Sequence, residues 1–217
     1  MKKLFFIALA FSLNGSPVLA GEFSMEELPM YGGQHDPKVR RSRESSASAA
    51  QLGWKYFYQG DASTAMKRFN QAWMFDRKNP QAYWGFGIIV GLRADQGNRE
   101  KLLSESIQLL SKAHELEPKN GKITGDLAYS HTLLGHHLEI LGNDGKSHFL
   151  KAETLFAKAY KTDSSYPPLV ANYGILKFHT GDYSAAERLT NEAKELGYTP
   201  SSKFQNDLKK KLKESQN

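Results

Sequence analysis

The chain has 217 residues, 29 lysines and arginines against 23 aspartates and glutamates, a net charge of +6, 40% hydrophobic residues and no cysteine. These figures suit one ordinary globular domain. The lack of cysteine excludes disulfides, thiolate metal sites, cysteine nucleophiles and a lipid-modified cysteine, and so small a charge excess gives no argument for nucleic acid as a partner.

Lys2 and Lys3 precede an apolar run from Leu4 to Leu13, broken by Asn14, Gly15, Ser16 and Pro17 and followed by Val18-Leu19-Ala20. Residues 1–20 therefore read as a cleavable signal peptide. The alternative is a membrane helix, but a run of ten residues rises about 15 Å, half the hydrocarbon thickness of a bilayer. The expected location is periplasmic, with secretion beyond the outer membrane as the alternative and no membrane anchor after signal cleavage. Residues 21–45 show neither helical nor strand period. Glu22, Glu26 and Glu27 give way to Met30-Tyr31-Gly32-Gly33 and then to Lys38, Arg40, Arg41 and Arg43. The segment reads as a flexible leader with a solvated basic cluster; docking into a groove or onto a partner is the other reading.

From residue 46 the chain repeats itself. Leu52-Gly53-x-x-Tyr56, Gly60-Asp61, Ala65, Phe69 and Ala72 form one set; Phe86-Gly87, Ser106, Leu110, Ala113 and Pro118 a second. The third has Leu127-Ala128, Gly135, Ala152, Phe156 and Ala159, and the fourth Tyr173-Gly174, Gly181-Asp182, Ala186 and Ala193. The steps from Gly53 through Gly87 and Ala128 to Gly174 are 34, 41 and 46 residues, and those from Ala72 through Ala113 and Ala159 to Ala193 are 41, 46 and 34. The same excesses occur in both series, so each insertion lies inside one repeat, between its first small residue and its second helix. The underlying period is 34 residues.

That pattern resembles the tetratricopeptide repeat (TPR) family, a helix-turn-helix unit with Leu-Gly, an aromatic, and later Ala, Phe, Ala and Pro. Arg77 and Ser164 stand where the closing proline is usual, and Ala49, Thr124 and Val170 replace the usual tryptophan. The resemblance implies an all-α fold, an α-solenoid of four TPR helix-turn-helix repeats over residues 46–200, divided at about 46–79, 80–120, 121–166 and 167–200. The residues agree on physical grounds. The small side chains let paired helices approach, Phe69 and Phe156 fill the space between, and Gly60-Asp61, Gly181-Asp182 and Asn79-Pro80 are stop, cap and start signals. Helices are predicted at 46–59, 62–75, 80–93, 99–116, 121–141, 147–161, 167–180 and 183–196. Residues 201–217 hold a ninth: Phe204, Leu208 and Leu212 form one stripe among lysines, as suits a C-terminal capping helix, a membrane-surface helix being the alternative.

The resemblance also implies a concave face lined by the first helix of each repeat. Its groove positions, carried over to this sequence, fall on Trp54 and Tyr58, Trp84 and Ile88, Asp126 and Tyr129, and Asn172, Ile175 and His179. Trp54, Tyr58, Trp84 and Tyr129 are expected as apolar anchors, with Asp126 and Asn172 giving polar specificity. The Lys and Asn clamp with which some members hold a chain-terminal carboxylate is missing, since its positions hold Ala50, Trp54, Trp84, Ile88, Gly125 and Tyr129. The two insertions end in the polar turns Asp95-Gln96-Gly97-Asn98 and Gly142-Asn143-Asp144-Gly145, read as neutral loop growth or as a second contact edge.

Nothing in the sequence argues for an enzyme. There is no HExxH, GxSxG, GxxxxGK or dinucleotide glycine pattern, so no catalytic, metal or cofactor residues are expected. His131, His136, His137 and His148 cluster in the third repeat without the spacing of a helical zinc pair, and read as surface or hairpin-packing residues. The expectation is a periplasmic protein-binding scaffold that holds a peptide or helix of an envelope protein in its groove. A homodimer or larger structural assembly is the alternative, and a metal-dependent enzyme the remote one.

Overall fold

The computed structural model describes residues 40–96 and 98–215. The expected signal peptide, residues 1–20, and the expected leader up to residue 39 lie outside the described residues. Among the described residues there are nine α-helices and no strand: α1 Arg43–Tyr58, α2 Ala62–Phe75, α3 Pro80–Arg93, α4 Arg99–Leu116, α5 Gly121–Ile140, α6 Lys146–Asp163, α7 Pro167–His179, α8 Tyr183–Glu195 and α9 Ser202–Ser215. A short 3-10 turn, Ala94–Gln96, follows α3. No helix among them is long and apolar enough to cross a membrane.

Local chemistry sets the boundaries. The Asp61 carboxylate accepts from the Thr64 amide at 2.9 Å, and Asp182 caps Ala185 in the same way at 3.1 Å. Between repeats, Asn79 accepts from the Gln81 amide, and Asn120 from those of Lys122 and Ile123. Each cap satisfies amides that the first helical turn leaves without a partner. Gly60 and Gly181, with φ of +82° in both, supply the left-handed residue that ends the preceding helix.

One boundary departs from expectation. Helix α1 begins before the expected residue 46, because Ser42 caps it by accepting from the Ser45 amide at 3.1 Å, and Arg43 is already helical. The Ser42 amide donates to the Phe75 carbonyl at 3.1 Å, and the Arg41 guanidinium donates to the Met74 carbonyl. At least this part of the basic cluster is fastened to the end of α2.

Packing follows the repeat. Each odd-numbered helix from α1 to α7 pairs with its successor, and α2, α4 and α6 also pack on the first helix of the following repeat. Neighbouring first helices meet directly (α1 with α3, α3 with α5, α5 with α7), whereas no two second helices share more than marginal contact among the described residues. The first helices therefore occupy the shorter, inner arc of the solenoid.

Phe69 and Phe156 are both fully buried, and Ala65, Ala72, Ala152, Ala159, Ala186 and Ala193 are inaccessible around them. Phe69 is held between two glycines: a Cβ on Gly53 would come within 2.6 Å of its ring, and one on Gly85 within 2.3 Å. In the third repeat a Cβ on Gly145 would lie 2.1 Å from the Gly135 carbonyl oxygen, so α5 and α6 touch backbone to backbone. Buried hydroxyls find partners: Ser106 donates to the Gly87 carbonyl at 2.8 Å and meets Ser130 Oγ at 3.0 Å.

Past α8, Gly197 at φ +89° turns the chain, and α9 lies on α8. Leu208 is 4% exposed, and the Phe204 ring meets Phe178 of α7 edge-on at 5.4 Å. The fold is that of an all-α TPR solenoid.

Candidate partner-binding groove

The inner arc carries a continuous aromatic row at its amino-terminal half. The Trp54 ring sits 4.5 Å from that of Trp84 and 4.9 Å from Phe69, and stacks on Tyr58 at 6.1 Å. Its indole N–H donates to Gln81 Oε1 at 2.9 Å. The Trp84 indole donates to Asp126 Oδ2 at 2.7 Å, joining α3 to α5. Trp54 is half-buried, Trp84 is 8% exposed and forms the floor, and Tyr58 stands 63% exposed at the edge. Helical spacing explains the row: Trp54 and Tyr58 are one turn apart on α1, as are Trp84 and Ile88 on α3, so each pair shares a face.

Asp126 and Tyr129, three residues apart on α5, continue it. The Asp126 carboxyl is half-buried with one neutral donor, and burial raises its pKa to about 7, against which the Trp84 hydrogen bond acts only in part. The Tyr129 phenol is pushed up to about 12, first by burial and then by the charges of Tyr198, Asp95 and Asp126. The Tyr58 phenol is raised by burial and by Asp126, and that of Tyr166 by burial, Asp126 and Tyr58.

Tyr166 and Tyr198 lie outside the repeat pattern, each ahead of a helix, α7 and α9, and pack against the cluster that holds Ala159, Leu169, Val170 and Ala193. Tyr166 stands directly before Pro167, the first residue of α7, and Tyr198 two positions before Pro200 in the turn ahead of α9. Tyr166 also carries the Lys122 ammonium 4.9 Å from its ring centroid.

The fourth repeat contributes differently. Asn172, Ile175 and His179 are half-buried on α7, but His179 is drawn into a stack with His136 of α5, ring centroids 4.0 Å apart, with Phe149 of α6 parallel at 6.4 Å. It packs repeats three and four together and is not brought to the Trp54, Trp84 and Asp126 cluster. Burial, then the facing His136, lowers its pKa to about 4.

The other histidine pair is a hairpin contact: His131 Nδ1 and His148 Nδ1 lie 2.9 Å apart between α5 and α6. His131, 7% exposed, is depressed to about 4, mainly by burial and also by His148. A separation of 2.9 Å between two imidazole nitrogens means one proton between them. Among the described residues no group of three or more His, Cys, Asp or Glu could hold a metal ion.

Neither family models nor curated proteins match the chain. Solved structures do. A thermophilic TPR protein of Thermus thermophilus, TTC0263, is similar over 70% of this chain and 74% of its own, at 18% identity and a TM-score of 0.57. PilF of Pseudomonas aeruginosa aligns with 72% of this chain and 78% of its own, at 13% identity and a TM-score of 0.34, too low to carry weight. The first likeness concerns the fold alone.

Proposed function

We propose that this chain is an exported scaffold that binds a segment of an envelope protein, extended or helical, against the inner arc of its solenoid, and does no chemistry on it. The observation that carries this reading is the aromatic row of Trp54, Tyr58 and Trp84 running into Asp126, with a tyrosine 63% exposed at its edge. Large rings beside a half-buried polar group on a rigid concave wall are the usual composition of a binding hot spot. Export rests on Lys2, Lys3 and the apolar run from Leu4 to Leu13. The role would be positioning or assembly of the bound protein.

Affinity capture from envelope extracts with the wild type and Tyr58→Ala tests the reading. Tyr58 is the substitution of choice because it is exposed, whereas Trp84 is part of the floor. A partner held by the wild type and lost by the variant supports the groove; one held equally by both moves the site elsewhere. A self-assembling structural component is the second reading, motivated by the exposed Ile140, Leu141 and Leu150 around the turn between α5 and α6, and light scattering of the wild type beside Leu150→Ser decides it.

A further inference from the structure

The carboxyl of Asp126 contrasts with the carboxylates that hold a cation or a phenol. Glu153 accepts from Lys177 at 2.8 Å and from the Tyr173 hydroxyl at 2.7 Å, Glu192 accepts from Tyr160 at 2.6 Å, and Asp95 pairs with Arg99. Asp126 is more enclosed than Asp95, yet no Lys, Arg or His among the described residues pairs with it, and its one donor is the uncharged Trp84 indole. Removing a carboxylate from water without a counter-charge costs free energy, and groups perturbed in this way cluster at functional sites.

Its surroundings say what that is. Trp84 turns its N–H edge to the carboxyl, the Trp54 ring lies 4.5 Å from that of Trp84 and stacks on Tyr58, and Tyr166 shares the field of Asp126. Gly125 makes this convergence close: a Cβ there would lie 2.8 Å from Leu169 Cδ1, so its absence brings α5 against α7 and Tyr166. Ring faces attract cations through their quadrupoles, and a half-buried carboxylate beside them does so more strongly. The Lys122 ammonium on Tyr166 is the same contact made within the chain.

The geometry points to a cation-reading centre, in which Asp126, held by Trp84 at the end of the aromatic row of Tyr58, Trp54 and Trp84, receives the charged tip of a lysine or arginine side chain carried by the bound protein segment. This rests on the groove reading and adds to it the partner's chemistry: a basic residue whose alkyl stem and apolar neighbours lie along Trp54, Tyr58 and Ile88. The aromatic rings remove water from the ion pair, and Asp126 gains the counter-charge that the described residues do not supply. An acidic segment would meet repulsion at the same point.

The test uses the full chain with 15N-labelled tryptophan, following the indole N–H resonances of Trp54 and Trp84 during titration with N-acetyl-lysine methylamide, N-acetyl-arginine methylamide, the neutral N-acetyl-norleucine methylamide, and choline. The expected result is a saturable shift of both indoles by the lysine and arginine compounds at millimolar concentration, at least about tenfold weaker with norleucine, the ratio worth about 1.4 kcal/mol. Asp126→Asn, which keeps an oxygen for Trp84, is expected to abolish the preference with an unchanged circular dichroism spectrum. Equal response to norleucine, or a preference surviving Asp126→Asn, overturns the cation centre and leaves an apolar groove standing. A stronger response to choline than to lysine or arginine assigns the centre to a small ammonium ligand and overturns the protein-segment assignment. Silence with all four overturns the cation centre, while capture with Tyr58→Ala decides the groove separately.

Discussion

The indole of Trp84 and the carboxyl of Asp126, 42 positions apart in sequence and 2.7 Å apart in space, tie the first helix of the second repeat to that of the third. The bond fixes the floor of the groove and leaves a half-buried acid on it. The acid's pKa, about 7 in the folded chain, lies above its ordinary value of 3.8.

That displacement has a consequence for stability. A carboxyl raised on folding stabilises the native state below its unfolded pKa, and the contribution is lost as pH rises from about 4 to about 7. Asp126→Asn removes this loss while keeping an acceptor for Trp84. The variant is expected to gain on the order of 2 kcal/mol relative to the wild type on going from pH 4 to pH 8, after discounting for partial exposure, or about 4 to 8 °C in melting temperature. Thermal melts of both proteins across that range decide it. A difference in melting temperature that is independent of pH would mean that the carboxyl is ordinarily solvated.

The histidine pairs carry the opposite sign. His131 and His179 are held near 4 while their unfolded value is 6.5, so the unfolded chain takes up protons first and native stability is lost as pH falls from about 6.5 towards 4. Both pairs join α5 to other elements, His131 with His148 of α6 and His136 with His179 of α7. Acid should therefore loosen the third and fourth repeats before the first two. Histidine side-chain NMR titration, with hydrogen exchange at about pH 4.5 and about pH 7, checks this; His148→Gln should make the acid loss shallower. Uniform exchange changes along the whole array would contradict it.

Much of the fold is legible in the sequence because repeat packing is written in small residues at fixed intervals. Gly53, Gly87, Ala128 and Gly174 mark the close approaches without knowledge of any partner. The groove is legible only in part. Trp54, Tyr58, Trp84 and Asp126 lie on the expected face because helical periodicity alone puts them there. Tyr166 and Tyr198 escape because they precede α7 and α9, outside the helical register that the repeat pattern fixes. His179 has a groove position by register, but its stack with His136 depends on how α5 and α7 meet, which no local spacing encodes.

The double glycine about Phe69 should be intolerant. In an open helix Gly→Ala stabilises by roughly 1 kcal/mol. At Gly85 the added Cβ would lie 2.3 Å from the Phe69 ring, which cannot retreat because Gly53 faces it from the other side. Gly85→Ala is expected to destabilise by about 1 to 3 kcal/mol in urea unfolding, and the double change with Phe69→Leu to recover part of the loss. Failure of the double variant to improve on Gly85→Ala would show that the ring is not what resists the methyl.

The α9 helix should prove the least firmly held of the nine. It packs chiefly on α8, with Leu208 as its buried side chain and Phe204 meeting Phe178, while lysines cover the remainder. Few buried apolar contacts imply local opening at a free energy well below that of global unfolding. Leu208→Ala should cost up to about 2 to 3 kcal/mol locally, speeding amide exchange throughout residues 202–215 while leaving exchange in α1 to α6 unchanged. Exchange measured by mass spectrometry separates this from cooperative capping: if the change at Leu208 accelerates exchange in α3 and α5 equally, α9 is part of one folding unit with the array, and the solenoid's far end depends on it.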